Sequence, residues 1–68
     1  MSLYFVASET RDGDMQVWGN LSAESRDHRR SVMLNEKMTL AVTAGPMSRL
    51  KEVIENHDKR YPEKAYQP

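Results

Sequence analysis

The chain contains no cysteine. That absence excludes a disulfide scaffold and a cysteine-ligated zinc module, two usual ways of stabilising a small domain. Long hydrophobic runs are missing as well. The longest apolar stretch, Leu3 to Ala7, falls far short of the ~20 residues that span a bilayer or of a signal-peptide core, so a cytoplasmic setting is the expectation. Net charge is absent too: ten Lys and Arg balance ten Asp and Glu, which removes any bulk attraction to nucleic acid or anionic membrane. The two histidines, His28 and His57, are too few and too widely spaced to define a metal site. Nothing resembles a nucleophile elbow, a phosphate-cradling loop or a paired-carboxylate cleft. No catalytic residue, metal or cofactor is therefore expected.

With 68 residues the chain forms one domain, and a domain of this size hides only about 60% of its unfolded surface. A pocket of about 300 Å³ or more is hard to enclose around so thin a core. An enzyme would need a composite site at a dimer interface, lined by His28 or His57. The balanced charge has an internal direction. Residues 1–24 carry a net −3 and residues 25–68 a net +3, a polarity able to orient a partner or a second copy.

The firmest local signal is Asp12-Gly13, a preferred pair for a two-residue type I′ hairpin turn. That turn pairs Tyr4 with Leu21, Val6 with Gly19 and Ala7 with Trp18. It gathers Tyr4, Val6, Val17 and Leu21 on one face and Leu3, Phe5, Ala7 and Trp18 on the other. Residues 22–30 show no apolar stripe and read as an exposed connection, with a helical turn capped by Ser22. A short helix running on to Met33 and Leu34 is the competing reading. Ser31–Leu34 and the alternating Met38–Ala44 suggest a second hairpin, although its turn lacks glycine.

Gly45-Pro46 then introduces a helix, with proline at its first position. Met47, Leu50, Val53, Ile54 and His57 recur at helical spacing. Pro62 ends the helix by Tyr61, because the residue before proline avoids the α region. The fold class expected is α+β: a small antiparallel sheet of about four strands in two hairpins, with one C-terminal amphipathic helix on one face. Residues 1–61 form the domain and 62–68 a flexible tail.

A single helix covers one side of a sheet, so the other side faces solvent or a partner. The candidate protein interface is Leu3, Phe5, Ala7 and Trp18, since aromatic anchors suit interfaces and would supplement a thin core. If the faces are exchanged, Trp18 is a core residue and Tyr4, Val6, Val17 and Leu21 are exposed instead. Arg26, His28, Arg29 and Arg30 form the one basic cluster, able to orient a protein partner or to contact phosphates.

The function expected is a non-enzymatic protein-interaction module, a small adaptor, inhibitor or regulator. It binds a protein partner or itself through an apolar sheet face, with a homodimer as the expected assembly. An accessory protein of a phage or prophage fits the size. The alternative is a small dimeric nucleic-acid-binding regulator using residues 26–30, and no membrane role is expected.

Overall fold

In a computed structural model that describes residues 2–66, three strands and two α-helices follow in the order ββαβα. Strand β1 spans Tyr4–Thr10, β2 Met15–Leu21 and β3 Thr39–Pro46; helix α1 spans Ala23–Leu34 and α2 Leu50–Arg60. Both partners pair antiparallel to β1, giving the sheet order β2-β1-β3. The α+β class and antiparallel sheet agree with expectation, but there are three strands instead of four. Ser31–Leu34, read as part of a second hairpin, is the last turn of α1.

The first hairpin forms with a different turn. Thr10 and Asp14 bracket a three-residue loop, closed by the Thr10 amide on the Asp14 carbonyl (2.9 Å) and the Gly13 amide on the Thr10 carbonyl (3.0 Å). Gly13 sits at φ +90°, a region open to glycine at no steric cost. The extra loop residue shifts the pairing by one, to Val6 with Trp18, Ala7 with Val17 and Glu9 with Met15. The expected Tyr4–Leu21 pair survives because an irregularity between Tyr4 and Val6 restores the register, at Asn20 in left-handed geometry (φ 57°). A one-residue shift moves side chains to the opposite face of a sheet. Trp18 therefore joins Tyr4 and Val6, not Phe5 and Ala7.

Helix α1 overturns the reading of residues 22–30 as an exposed connection, in favour of the competing helix through Met33 and Leu34. Ser22 caps it as expected, its hydroxyl accepting from the Ser25 amide at 3.1 Å. The side of α1 facing the sheet presents arginines where an apolar stripe is usual. The Arg26 guanidinium lies 4.3 Å from the Tyr4 ring centroid and that of Arg29 lies 4.9 Å from Trp18. Arginine stems cover apolar surface while the planar heads stack on rings. Met33 completes the contact and is buried.

Helix α2 keeps the expected stripe but covers the other face. Pro46 ends β3, a 3-10 turn at Met47–Arg49 follows, and α2 then runs to Arg60. Met47 packs on Gly19, Tyr61 on Gly13, and Arg49 with Val53 flank a cleft beside Phe5. With a helix on each face, β1 is enclosed from Phe5 to Glu9. The core consists of Phe5, Val6, Ala7 and Met33.

The segment after α2, read as a flexible tail, makes a 3-10 turn at Pro62–Lys64. The Tyr66 amide then donates to Asp58 at 2.9 Å. Positions 67 and 68 of that tail lie outside the described residues.

Candidate interaction surfaces

The expected apolar patch is dispersed. Phe5 and Ala7 are 1% and 3% exposed, because α2 lies over their face. Trp18 is half-buried beneath Arg29 on the opposite face, which leaves Leu3 as the one exposed member of the four. The second assignment fails as well, since Val6 is wholly buried and Tyr4 lies under Arg26. The premise of one helix and one bare face does not hold. Of the basic cluster, Arg26 and Arg29 turn toward the sheet, while His28 and Arg30 remain exposed on α1.

His57 is fully buried, and both of its ring nitrogens meet acceptors. Nε2 lies 2.6 Å from the Gly13 carbonyl and Nδ1 3.0 Å from Asp58 Oδ1. A carbonyl and a carboxylate only accept, so the imidazolium form alone donates in both contacts. Burial opposes that charge. The hydrogen bonds to Gly13 and Asp58, together with the nearby Glu9 and Asp58 charges, outweigh it and raise the His57 pKa above its ordinary value. The Tyr66 amide first, and His57 second, hold the Asp58 carboxyl below its usual range. Nearby, nearly buried Glu9 accepts from Arg60 at 2.7 Å. These residues fasten the β1–β2 turn and the tail to α2. Among the described residues, no buried side-chain polar atom lacks a partner and no three His, Asp or Glu side chains cluster as metal ligands.

One open surface is the free edge of β3. β3 has β1 on one side only, and none of its eight residues is buried. The Met47 amide donates to the Leu3 carbonyl at 3.0 Å, and this sets the phase of the β1–β3 ladder. Bonded and non-bonded pairs alternate along an antiparallel pair, so Phe5–Gly45, Ala7–Thr43 and Glu9–Ala41 exchange hydrogen bonds inward. Val42 and Ala44 direct their N–H and C=O groups outward. No charged residue occurs from Met38 to Ser48, and β1–β3 pairing is regular from Ala41 to Pro46. Of the usual devices against strand addition, charge is missing, while an irregularity at Leu40 and the terminal Pro46 confine the regular edge to the residues between them. The other edge, β2, is likewise uncharged and without a buried residue, but its regular pairing runs over Met15–Trp18 only, before the irregularity near Asn20.

Three of the large exposed apolar side chains, Leu34, Met38 and Leu40 at 55–57% exposure, lie along the passage from α1 into β3. On the α2 side, a cleft of about 70 Å³ beside Phe5, Gly45 and Val53 adjoins one of about 240 Å³ bounded by Arg49, Asn56 and Arg60. Pairing Met38–Ala44 with Ser31–Leu34 as a second hairpin gave β3 a neighbour that the structure places in α1. The uncharged, alternating sequence of β3 was the available signal. The buried roles of His57 and Glu9 had no signal of comparable strength, because they depend on a contact 44 residues apart in one case and 51 in the other.

No helix among the described residues is long and apolar enough to cross a membrane. No protein-family model, curated protein or solved structure matches the chain.

Proposed function

We propose that this protein is a non-enzymatic interaction module that receives an extended protein segment on the free edge of β3. The observation that carries the reading is the longer regular, uncharged edge, Ala41–Pro46 against Met15–Trp18 of β2, with outward-facing backbone groups at Val42 and Ala44. Strand addition uses such groups for affinity and neighbouring pockets for selectivity. Leu34, Met38 and Leu40 extend the contact at one end. The exposed Arg30 and His28 on α1 can orient a partner. The commitment of Arg26 and Arg29 to Tyr4 and Trp18 favours protein contact over phosphate contact by that helix.

The substitution Val42→Pro tests the reading. It removes an outward N–H while leaving the hydrogen bonds of β1 with β3 in place, as proline on an edge strand does. A random heptapeptide display library panned on the wild-type protein should yield binders that Val42→Pro loses, with far-UV circular dichroism unchanged. Sedimentation of the same two proteins reports whether a second copy occupies the edge. Peptides that bind both proteins equally, or a monomer that selects no peptide, would rule out the β3 edge as the docking element.

A further inference from the structure

The two clefts between β3 and α2 lie one after the other along the strand. The smaller, about 70 Å³, has Phe5, Gly45 and Val53 around it, a size that suits a small aliphatic group. Gly45 contributes by lacking a side chain: a Cβ there would lie 3.5 Å from the Phe5 ring. The larger begins at Thr43, two residues back along β3, and brings together the guanidinium groups of Arg49 and Arg60, the Asn56 amide and the Glu52 carboxylate. Arg60 directs one nitrogen to Glu9 and is still more than half exposed. Arg49 is 66% exposed and meets Glu52 at only 3.9 Å, so its fork of donors is largely available. Each guanidinium of this cleft thus has one carboxylate partner, Glu9 for Arg60 and Glu52 for Arg49, and the long Arg49 pair is the one that leaves donors exposed.

We infer that this groove selects an extended partner segment with a small aliphatic side chain followed two residues later by a carboxylate, lying antiparallel to β3. The inference rests on β3 being the docking edge. Side chains of an added strand point alternately to the two faces of the sheet, so residues two apart enter the same groove. In the antiparallel sense the aliphatic residue comes opposite Gly45 and the acid opposite Thr43. There the guanidinium of Arg49 can bind the carboxylate through a charge-assisted hydrogen bond.

Fluorescence anisotropy with two labelled peptides tests this, one of sequence Ser-Thr-Val-Thr-Asp-Thr-Ser and one with Lys in place of Asp. The wild-type protein should favour the Asp peptide by about tenfold, the scale of one hydrogen bond to a charged group. Arg49→Glu should reverse the preference while leaving the melting temperature nearly unchanged, since Arg49 makes one long surface pair. Trp in place of Val should weaken binding, because the smaller cleft does not admit an indole. Equal binding of the Asp and Lys peptides, lost in Val42→Pro, overturns the selectivity and leaves the docking edge standing. Binding by neither peptide, together with a dimer that Val42→Pro dissolves, overturns it in favour of a second copy as occupant. Binding by neither peptide to a monomeric protein overturns both this inference and the reading beneath it.

Discussion

At the residue scale the molecule depends on a few side chains that work against their usual environment. His57 is buried between two acceptors, which favour its cationic form against the cost of burial, with Asp58 beside it and Glu9 nearby. Substituting His57→Phe leaves the buried Gly13 carbonyl without a donor, a loss of about 1–3 kcal/mol. Urea unfolding should show that loss as a lower midpoint with an unchanged slope. Trp18 is the second case. Half-buried beneath Arg29, it contributes to monomer stability, and Trp18→Ser should destabilise the fold by about 2 kcal/mol. Arg29→Ala should shift Trp18 emission to longer wavelength as the ring becomes more exposed. An emission spectrum unmoved by Arg29→Ala would show that the stacked geometry is not populated in solution.

At the scale of elements, each helix is held by a different device. α1 relies on its cap and on arginine stems, because its sheet-facing side is poor in apolar residues. Ser22→Ala should therefore cost about 1 kcal/mol and reduce helical circular dichroism on mild heating. α2 has the ordinary apolar stripe and is further anchored where Tyr61 closes over Gly13. A Cβ at Gly13 would come within 2.7 Å of the Tyr61 ring, at a positive φ that alanine adopts poorly. Gly13→Ala should destabilise the hairpin turn and the α2 terminus together, lowering the melting temperature more than a substitution at exposed Asp12.

The elements also show why the sequence is legible in parts. The hairpin and α2 are local patterns: Asp12-Gly13 marks the turn, and Met47, Leu50, Val53, Ile54 and His57 recur on one helical face. α1 lacked such a pattern because Arg26 and Arg29 occupy places where leucine is usual, and their role appears only when Tyr4 and Trp18 lie beneath them. The unbroken apolar run Leu3–Ala7 was itself a signal for a strand covered on both faces. Reading it as one half of a two-faced hairpin placed Phe5 and Ala7 on an exposed patch, where the structure has them in the core.

For the whole molecule, two pKa shifts of opposite sign set the pH profile. The raised His57 value contributes stability that is complete below about pH 6.5, its ordinary value, and is lost as pH rises through the folded-state value. The lowered Asp58 value contributes stability present above about pH 3.8 and lost as pH falls through the folded-state value. Thermal stability should thus be higher at pH 5.5 than at pH 8.5, and His57→Phe should flatten that difference. A difference that persists in His57→Phe would assign it to another group. Hydrogen exchange should follow the layering, slowest at the amides of Val6 to Ser8 and fastest at the outward amides of Val42 and Ala44.

The lack of cysteine excludes disulfide stapling, and no helix among the described residues is long and apolar enough to cross a membrane. The sequence by itself determined the α+β class, the first hairpin, the Ser22 cap and the apolar face of α2, all of which are properties of neighbouring residues. Only the tertiary structure decided which sheet surface is free. One added loop residue moved Trp18 across the sheet, and a helix with arginines in its apolar positions closed the face that seemed bare. Cover on both faces of β1 left the open backbone at the sheet edges, where β3 has the longer regular stretch. That outcome follows from how many layers cover a strand, a quantity no local pattern encodes.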